Sequence, residues 1–354
     1  MKNSFGAVLR NLDGPVLITG HTGFKGTWLT RYFAHLGVEV VGYSLPLKGD
    51  ELYAKAKLEG QIREKFSDIR DLESIKSFIS ATRPGAVIHL AAQPLVLDSY
   101  QDPIGTFETN VMGSANLLEA TRQSHQTKGV LFITTDKVYR NSNSQVKFRE
   151  DSCLLGSDPY SASKVGAENV AIAWRNLGSA KQKTIISVAR SGNVIGGGDY
   201  SKNRLLADIV RAYQNRDILE IRNPESTRPW QHVLDPLHGY ILALENSISR
   251  EVSETFNFGP LESSLSVKQV LDQTQAVWPH IKYKVLENTE LPYESKYLEL
   301  DSQFARSTLG WVPRYSQEDA ITSTLNWWVE VLENGVSYRT AIDNDVSNYI
   351  SKLG

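Results

Sequence analysis

A glycine-rich turn near the N-terminus constrains the fold of this chain more than any other feature. Glycines recur at every third position, as Gly20, Gly23 and Gly26, directly after an apolar run at 16–20 and before a segment with apolar residues at helical spacing. Missing side chains let the backbone approach a pyrophosphate, and the N-terminus of a helix favours an anion. The pattern therefore predicts a strand, a tight turn and a helix that together bind a dinucleotide.

Alternating strand and helix signals predict the rest of the fold. Apolar runs of strand length are separated by stretches long enough for a helix, at 16–20, 38–44, 86–92, 130–135 and 185–193. This alternation predicts an α/β fold, a Rossmann-type doubly wound parallel sheet with helices on both faces. The pattern loosens after about residue 190. We therefore expect a dinucleotide-binding domain over 1–190, with returns to the sheet at about 230–260, and a smaller substrate-binding domain mainly over 191–354.

Composition narrows the classes of function. The 354 residues are 41% hydrophobic and 22% charged, with a net charge of -2, which gives no support for binding to nucleic acid or to a membrane surface. A single cysteine, Cys153, excludes an intrachain disulfide and a cysteine-cluster metal site, and no metal is expected. Neither a signal-like apolar segment nor an 18-residue apolar run is present. We expect a cytoplasmic protein.

A tyrosine and a lysine four residues apart suggest proton chemistry. Tyr160 and Lys164 follow an Asp-Pro helix-start signal, so they should share one face of a helix. A phenol titrates near pH ~10, and its use as a base requires a field that favours the phenolate. Lys164 and the positive ring of an oxidised nicotinamide could provide it; the alternative is a chance pair on a surface helix. Tyr53 and Lys57 form a second such pair, in a polar segment that predicts a solvated helix face.

Three residues at the end of the run at 130–135 and directly after it complete a set of side chains that can transfer protons. Thr135, Asp136 and Lys137 place a hydroxyl, a carboxylate and an amine directly after an apolar strand. Ligands of parallel α/β sheets bind beyond the carboxyl ends of the strands. This triplet and the glycine turn should therefore meet at one edge of the sheet.

These motifs resemble those of the nucleotide-sugar 4,6-dehydratases, and the CDP-glucose dehydratases in particular, within the extended short-chain dehydrogenase/reductase superfamily. The similarity covers nearly the whole chain, and its motifs lie at 19–26, 68–71, 89–96, 109–113, 135–137, 158–161, 192–199 and 228–233. The glycine turn and the Tyr/Lys pair are specific only to the superfamily. The Thr-Asp-Lys triplet is more specific for the CDP-glucose dehydratases, because related dTDP- and GDP-sugar dehydratases carry glutamate at the position of Lys137.

The resemblance implies an NAD-dependent conversion of CDP-glucose to CDP-4-keto-6-deoxyglucose. Tyr160, assisted by Lys164, removes the proton of the sugar 4-hydroxyl while hydride leaves C4, and Thr135 hydrogen-bonds the 4-oxygen. Water is then lost across C5 and C6, with Asp136 the acid toward the 6-hydroxyl and Lys137 at the position of the C5 base, before hydride returns to C6. A lysine acts as a base only if its pKa is lowered. A salt bridge to Asp136 or another carboxylate is therefore the alternative role for Lys137.

The resemblance also implies the residues that bind cofactor and substrate. For NAD these are Gly20, Thr22, Gly23, Phe24, Lys25, Gly26, Asp68, Ile69, Leu90, Ala91, Ala92, Thr109, Tyr160 and Lys164. For the nucleotide sugar they are Gln93, Asn193, Arg204, Arg228, Glu294 and Tyr297. Arginine suits a pyrophosphate because its fork binds phosphate in two places, although a surface salt bridge is the alternative for either arginine. The second strand ends without an acid for a ribose hydroxyl or an arginine for a 2′-phosphate, so the residues alone leave NAD and NADP open, and the resemblance favours NAD.

A homodimer is implied as well, joined by the helix of Tyr160 and Lys164 and the helix around 107–121. The second helix carries Phe107, Val111, Ala115 and Leu118 at helical spacing, a stripe that core packing would explain equally well.

Two alternatives to a dehydratase stay open. A nucleotide-sugar epimerase or reductase on the same scaffold would keep Tyr160 and Lys164 without needing Asp136 and Lys137, and a third possibility is a non-catalytic dinucleotide-binding protein. The presence of all four of Thr135, Asp136, Tyr160 and Lys164 favours an enzyme over a binding protein. The loop at 142–150 lacks the tryptophans and the Gly-Tyr-Arg-Glu run of relatives, and this departure leaves recognition of a different sugar open as an alternative.

Overall fold

The computed structural model describes residues 5–141, 146–177, 184–286 and 297–353. Its strands in chain order are β1 (Val16–Thr19), β2 (Val40–Ser44), β3 (Arg63–Phe66), β4 (Ala86–His89), β5 (Gly129–Thr135), β6 (Ile185–Ser191), β7 (Val194–Ile195), β8 (Leu219–Ile221), β9 (Thr227–Arg228), β10 (Gln231–His232), β11 (Thr255–Phe258), β12 (Leu265–Ser266) and β13 (Tyr283–Val285). The central sheet has seven strands in the order β11-β6-β5-β4-β1-β2-β3, and all its neighbouring pairs are parallel. The remaining strands pair as β7 with β10, β8 with β13 and β9 with β12.

The helices connect these strands and cover the sheet. In chain order they are α1 (Ala7–Arg10), α2 (Phe24–Leu36), α3 (Leu52–Lys55), α4 (Leu72–Thr82), α5 (Val96–Gln101), α6 (Pro103–Phe107), α7 (Gly113–Ser124), α8 (Pro159–Arg175), α9 (Leu205–Asn215), α10 (Leu234–Arg250), α11 (Val267–Val277), α12 (Gln303–Leu309), α13 (Gln317–Leu332) and α14 (Tyr338–Ser351). A π-helical segment, Glu108–Met112, joins α6 to α7, and a 3₁₀ turn spans Asp136–Val138. None of the described helices is long and apolar enough to cross a membrane.

Successive residues of the inner strands point to opposite faces of the sheet, and both faces are covered. Leu17 and Val130 pack with apolar side chains of α4, α7 and α8. Ile18 and Leu131 pack on the other face with α2, α10 and the C-terminal helices. The doubly wound Rossmann-type sheet predicted from the sequence is confirmed.

The five predicted strands are present, and two further strands extend the sheet at its edges. β3 is the polar run Arg63–Phe66 and pairs only with β2, so its side chains need not be apolar. β11 comes from the part of the chain after residue 190 and pairs with β6. α10, which precedes β11, packs on β5 and β6. The boundaries of the two expected domains stay a prediction.

The expectation of a solvated helix face at Tyr53 is wrong. Tyr53 is buried, and its hydroxyl donates a hydrogen bond to Glu64 Oε2 at 2.8 Å. The helix α3 ends at Lys55, and Lys57 lies beyond it with a positive φ of 54°, so Tyr53 and Lys57 share no helix face. The polar residues around Tyr53 in the sequence gave no sign that its side chain packs in the core with residues of α2.

Helix α8 begins where the sequence predicts. The side chain of Asp158 accepts a hydrogen bond from the backbone of Ser161 at 2.9 Å, the Ser161 hydroxyl bonds back to Asp158, and Pro159 occupies the first turn. This capping fixes the start of the helix, and therefore places Tyr160 in its first turn and Lys164 one turn later.

Candidate active site

The end of β5 and the first two turns of α8 bring the predicted proton-handling residues together. Tyr160 is buried and shares a side-chain hydrogen bond with Thr135. The Lys164 ammonium is also buried and donates a hydrogen bond to the carbonyl oxygen of Ile133 at 2.9 Å. A phenol, a hydroxyl and an amine therefore meet at the carboxyl edge of the sheet.

Burial raises the pKa of Tyr160 to about 12, while the hydrogen bond that it shares with Thr135 and the positive charge of Arg204 act in the opposite direction. At neutral pH, forming the phenolate would cost roughly 7 kcal/mol, at about 1.4 kcal/mol per pKa unit. Burial lowers the pKa of Lys164 to about 8, and the carboxylate of Glu168 opposes that change. The site thus needs additional positive charge near Tyr160 for the phenol to act as a base.

Asp136 supplies a buried carboxylate next to this pair. Its Oδ1 accepts a hydrogen bond from Thr135 Oγ1 at 3.0 Å. Its Oδ2 is buried and has no hydrogen-bond partner among the described residues. A buried carboxylate oxygen without a partner costs free energy, so this atom is suited to contact a hydroxyl of a bound ligand. The sequence alone did not indicate which of the two oxygens is open.

Gly192, which follows β6, leaves the space that this oxygen occupies. An ideal Cβ at Gly192 would lie 2.7 Å from Asp136 Oδ2, closer than real Cβ contacts allow. We expect Gly192→Ala to displace the Asp136 carboxylate and to lower kcat by roughly 10-fold or more, because a misplacement of about 1 Å is costly at a reacting centre. Steady-state turnover checks this, with melting temperature measured in parallel. Wild-type kcat in the variant would contradict the placement of Asp136 Oδ2.

Lys137 is half-buried on the 3₁₀ turn. Within the described parts of the chain, no carboxylate lies within ion-pair distance of its ammonium, which disfavours the salt bridge considered as its alternative role. The role of Lys137 as the C5 base stays a prediction.

The glycine turn forms a cradle between the ends of β1 and β4. Gly20 has φ 74°, and an ideal Cβ there would lie 2.8 Å from the backbone nitrogen of Ala91. A Cβ at Gly26 would lie 2.2 Å from Gly20 O. The hydroxyls of Thr22 and Ser44 are 2.6 Å apart where β2 ends. A backbone that only glycine can adopt, open to the N-terminus of α2, fits the pyrophosphate of a dinucleotide.

Lys25 points from this turn into the active site. Its ammonium donates hydrogen bonds to Ser191 Oγ at 2.9 Å and to Tyr240 OH at 3.1 Å. Loss of hydration, together with the positive charges of Arg204 and Lys164, lowers the pKa of Lys25 to about 7. The charges of Lys25, Lys164 and Arg204 therefore act on one another at this site, whereas the sequence predicted only a cofactor contact for Lys25.

This depressed pKa predicts a pH-dependent stability. Unfolded Lys25 binds a proton up to about pH 10.4, whereas the folded form releases it near pH 7, so its burial penalty is complete below pH 7 and fades as the pH rises. We expect Lys25→Met to raise the melting temperature of the cofactor-free protein more at roughly pH 6 than at roughly pH 9. Differential scanning calorimetry at both pH values checks the sign; an equal change at both would contradict the cost assigned to Lys25.

Other predicted cofactor residues lie around the same edge. The Asp68 carboxylate is held by Arg70, with Nη2 to Oδ2 at 2.7 Å. Ile69 packs against Gly113, where a Cβ would lie 2.6 Å from Ile69 Cγ2. Gly23 and Phe24 lie at the start of α2, and Leu90 and Ala91 lie against Gly20. The remaining predicted residues are Ala92, in the loop after β4, and Thr109, in the π-helical segment. Their contacts with a cofactor stay predictions.

Asn110 is a residue of the site that the sequence reasoning missed. It is buried in the π-helical segment, and its Oδ1 accepts a hydrogen bond from Gln93 N at 2.8 Å. Its Nδ2 donates to Gln93 O at 3.1 Å and to Ser163 Oγ at 2.8 Å. Asn110 thus ties the loop after β4 to α8. Only its place within the motif at 109–113 hinted at a role, because the π-helical turn that aims it leaves no mark in the sequence.

The predicted substrate residues are more dispersed. Arg204 forms an ion pair with Asp199, Nη1 to Oδ2 at 3.1 Å, and its charge reaches both Tyr160 and Lys25. The Gln93 side chain donates a hydrogen bond to the backbone carbonyl of Leu95 and accepts one from the backbone nitrogen of Leu95. The backbone carbonyl of Asn193 accepts a hydrogen bond from the backbone nitrogen of Gln231, and Arg228 lies on β9. Tyr297 is 40% exposed. Glu294 lies outside the described residues.

Comparison with known proteins identifies the family. The model of the GDP-mannose 4,6-dehydratase family matches residues 17–324. The chain belongs to this family. It is 38% identical over 348 residues to the CDP-glucose 4,6-dehydratase of Salmonella typhimurium strain LT2, an alignment that covers 95% of this chain and 96% of that protein. The resemblance found in the sequence is therefore confirmed.

Solved structures of relatives share the fold. MoeE5 in complex with UDP-glucuronic acid and NAD superposes with a TM-score of 0.78 at 23% identity, covering 90% of this chain and 100% of that one. The dTDP-glucose 4,6-dehydratase of Bacillus anthracis, in complex with NAD, superposes with a TM-score of 0.75 at 20% identity, covering 91% and 98%. At this identity the likeness establishes the architecture alone.

Proposed function

We propose that this protein is an NAD-dependent 4,6-dehydratase that converts CDP-glucose to CDP-4-keto-6-deoxyglucose. The observation that carries the proposal is the near full-length similarity to a CDP-glucose 4,6-dehydratase, with the Thr-Asp-Lys and Tyr/Lys motifs meeting at one edge of the sheet. The buried Asp136 Oδ2, which has no hydrogen-bond partner in the described part of the chain, supports dehydration in particular, because an epimerase would have no use for an acid there.

The cofactor site is built by the cradle of Gly20 and Gly26, which is open to the N-terminus of α2. NAD bound there would supply the redox chemistry, accepting hydride from C4 of the sugar and delivering it to C6. The Thr22 and Ser44 hydroxyls lie at the end of β2, where a ribose would be held. The preference for NAD over NADP rests on the family resemblance.

Tyr160 is the base for the sugar 4-hydroxyl. Its phenolate oxygen takes the hydroxyl proton, leaving a ketone at C4. Thr135, which bonds Tyr160, also orients the 4-oxygen. The charge of Arg204 favours the phenolate. The Lys164 ammonium one turn along α8 and the positive ring of an oxidised nicotinamide would add to that effect.

Asp136 is the acid that the departing hydroxyl needs. Once C4 is a ketone, the C5 hydrogen is acidic, and Lys137 is the side chain proposed to accept that proton. The bond from C6 to its oxygen breaks while Asp136 Oδ2 donates a proton, so one water leaves and a C5–C6 double bond forms. Lys137 then returns its proton to C5 when C6 is reduced. The proton that Tyr160 took from the 4-hydroxyl leaves to solvent, and Asp136 takes one from solvent, so all three side chains are restored.

A panel of nucleotide hexoses tests the substrate. The purified protein is incubated with CDP-, dTDP-, GDP- and UDP-glucose, and the products are followed by mass spectrometry. We expect CDP-glucose to lose one water with the highest kcat/KM. A product of unchanged mass would indicate an epimerase instead, and no turnover of any sugar would contradict an enzymatic role.

We further propose a homodimer joined through α8 and the helical run from α6 to α7. Apolar side chains on this surface are exposed: Ile104 is 71% exposed, Phe107 42%, Met112 56% and Ile172 45%. Val111, by contrast, packs against Gly166 within the chain, so the predicted stripe is divided between core and surface. Leu118, the last residue of that stripe, is buried. The cytoplasmic location stays an expectation from the sequence.

Light scattering tests the dimer. We expect a mass of about two chains at micromolar concentration, and a shift to one chain in Phe107→Glu, because a charge in an apolar interface is costly. The matched control is Phe304→Glu, a substitution of another half-exposed phenylalanine that lies on α12, outside this surface. A wild-type mass of one chain would contradict the dimer.

A further inference from the structure

The end of β5 is bonded to α8 at two successive residues. Ile133 accepts a hydrogen bond from Lys164, and the Thr134 hydroxyl donates one to Glu168 Oε1 at 2.6 Å. Tyr160, Lys164 and Glu168 are four residues apart, and therefore lie along one face of the helix. Glu168 thus sits one turn beyond Lys164, on the face that meets the active site.

Glu168 belongs to an ion pair that is wholly buried. Its side chain is 1% exposed and that of its partner, Arg190 on β6, is 4% exposed. Arg190 Nε lies 2.9 Å from Glu168 Oε1, and Arg190 Nη2 lies 2.5 Å from Oε2, so the pair is bidentate. Arg190 Nη1 also donates to Tyr139 OH at 2.6 Å and to Glu150 O at 3.0 Å. These bonds fix the negative charge of Glu168 in place.

This fixed charge acts on Lys164. Burial lowers the pKa of Lys164 to about 8, and Glu168 is the group that opposes the change. Within the described residues, Lys25 on α2 and His89 on β4 also interact with the charge of Lys164, and Tyr160 lies one turn before it on the same helix. Lys25 is cationic when protonated, so it cannot favour a second ammonium nearby.

We propose that Glu168 is a positioning residue for the reaction, whose carboxylate, fixed by Arg190, keeps the Lys164 ammonium charged and docked on the end of β5. The inference rests on the proposed function, because it concerns the proton that Tyr160 removes with the help of Lys164. Glu168 touches neither substrate nor cofactor in this scheme. Its effect reaches the reaction only through Lys164.

The pH dependence of kcat/KM tests this role. Glu168→Gln keeps the size of the side chain and removes its charge, so Lys164 should lose its proton at lower pH. We expect the alkaline limb of the profile to move down by roughly one pH unit, with activity nearest to wild type at the acid end. Glu318→Gln on the exposed start of α13 removes one charge far from the site and should leave the limb in place.

Two further variants separate charge from packing. Thr134→Val removes the hydroxyl bonded to Glu168 and keeps both charges, so its alkaline limb should coincide with that of the wild type. The single variant Glu168→Gln leaves Arg190 as an unpaired buried cation and can therefore unfold. In that case the pH profile of kcat/KM is measured on the double variant Glu168→Gln/Arg190→Gln. Circular dichroism and thermal melting establish that each variant is folded.

A direct titration distinguishes this inference from the proposed function. The ¹³Cε signal of Lys164, assigned by its loss in Lys164→Met, is followed by NMR in the cofactor-free protein without any substrate. Its midpoint should be lower in Glu168→Gln than in wild type, whether or not CDP-glucose is turned over. An unmoved midpoint, or a folded variant with reduced activity at every pH and an unmoved limb, would overturn the proposal.

Discussion

Tyr160→Phe should lower kcat by roughly 10³-fold while the protein stays folded and retains its cofactor. Phenylalanine keeps the ring that fills this buried position, so packing changes little. It removes the hydroxyl that bonds Thr135 and takes the proton of the sugar 4-hydroxyl. Turnover of CDP-glucose, followed by mass spectrometry, gives kcat.

Tyr139→Phe is the matched control for this substitution. Tyr139 is another buried tyrosine near the end of β5, but its hydroxyl bonds Asn257 and Arg190, and it has no role in removing a proton. We expect a far smaller loss of kcat in that variant. Near-normal turnover in Tyr160→Phe would reject the assignment of Tyr160 as the base.

Asp136→Asn should separate dehydration from oxidation. The amide keeps the shape of the carboxyl group and its contact with Thr135, but it cannot donate a proton as a carboxylic acid does. Oxidation at C4 depends on Tyr160 and should survive. We expect loss of water to fall by roughly 10²-fold or more, while the near-ultraviolet absorbance of reduced nicotinamide accumulates in the mixture of variant and substrate.

The two ways in which this prediction can fail have different meanings. Release of the 4-keto-6-deoxy product at the wild-type rate would contradict the acid role of Asp136. A variant that never reduces its cofactor would instead place Asp136 in substrate binding. Asp199→Asn, which perturbs the partner of Arg204 outside the Thr135–Asp136 pair, serves as a comparison for a loss of binding, since it should raise KM more than it lowers kcat.

Local patterns in the sequence were sufficient to predict the five inner strands of the central sheet. The inner strands are buried on both faces, so they read as apolar runs, and the glycine turn fixed the place of β1 and α2. The edge strand β3 carries Arg63, Glu64 and Lys65, because a strand with one neighbour does not need an apolar sequence. Its pairing with β2 is a property of the folded chain and has no local signal.

The candidate site was predicted less completely than the sheet. Tyr160, Lys164 and Thr135 could be found because their motifs are short and lie at a strand end or a helix start. The partners that set their charges come from distant segments: Arg204 precedes α9, and Arg190 lies on β6. No spacing rule joins residues so far apart, so the burial of Lys25 and the ion pair of Glu168 emerge only from tertiary packing.

The fate of a label at C4 tests the central claim most directly. CDP-glucose carrying deuterium at C4 is incubated with the purified protein, and the product is examined by mass spectrometry and NMR. Loss of water that is coupled to oxidation at C4 and reduction at C6 predicts a 4-keto-6-deoxy product that retains the deuterium, now at C6. A product with deuterium still at C4, or a dehydrated product from which the label has been lost to solvent, would contradict the account.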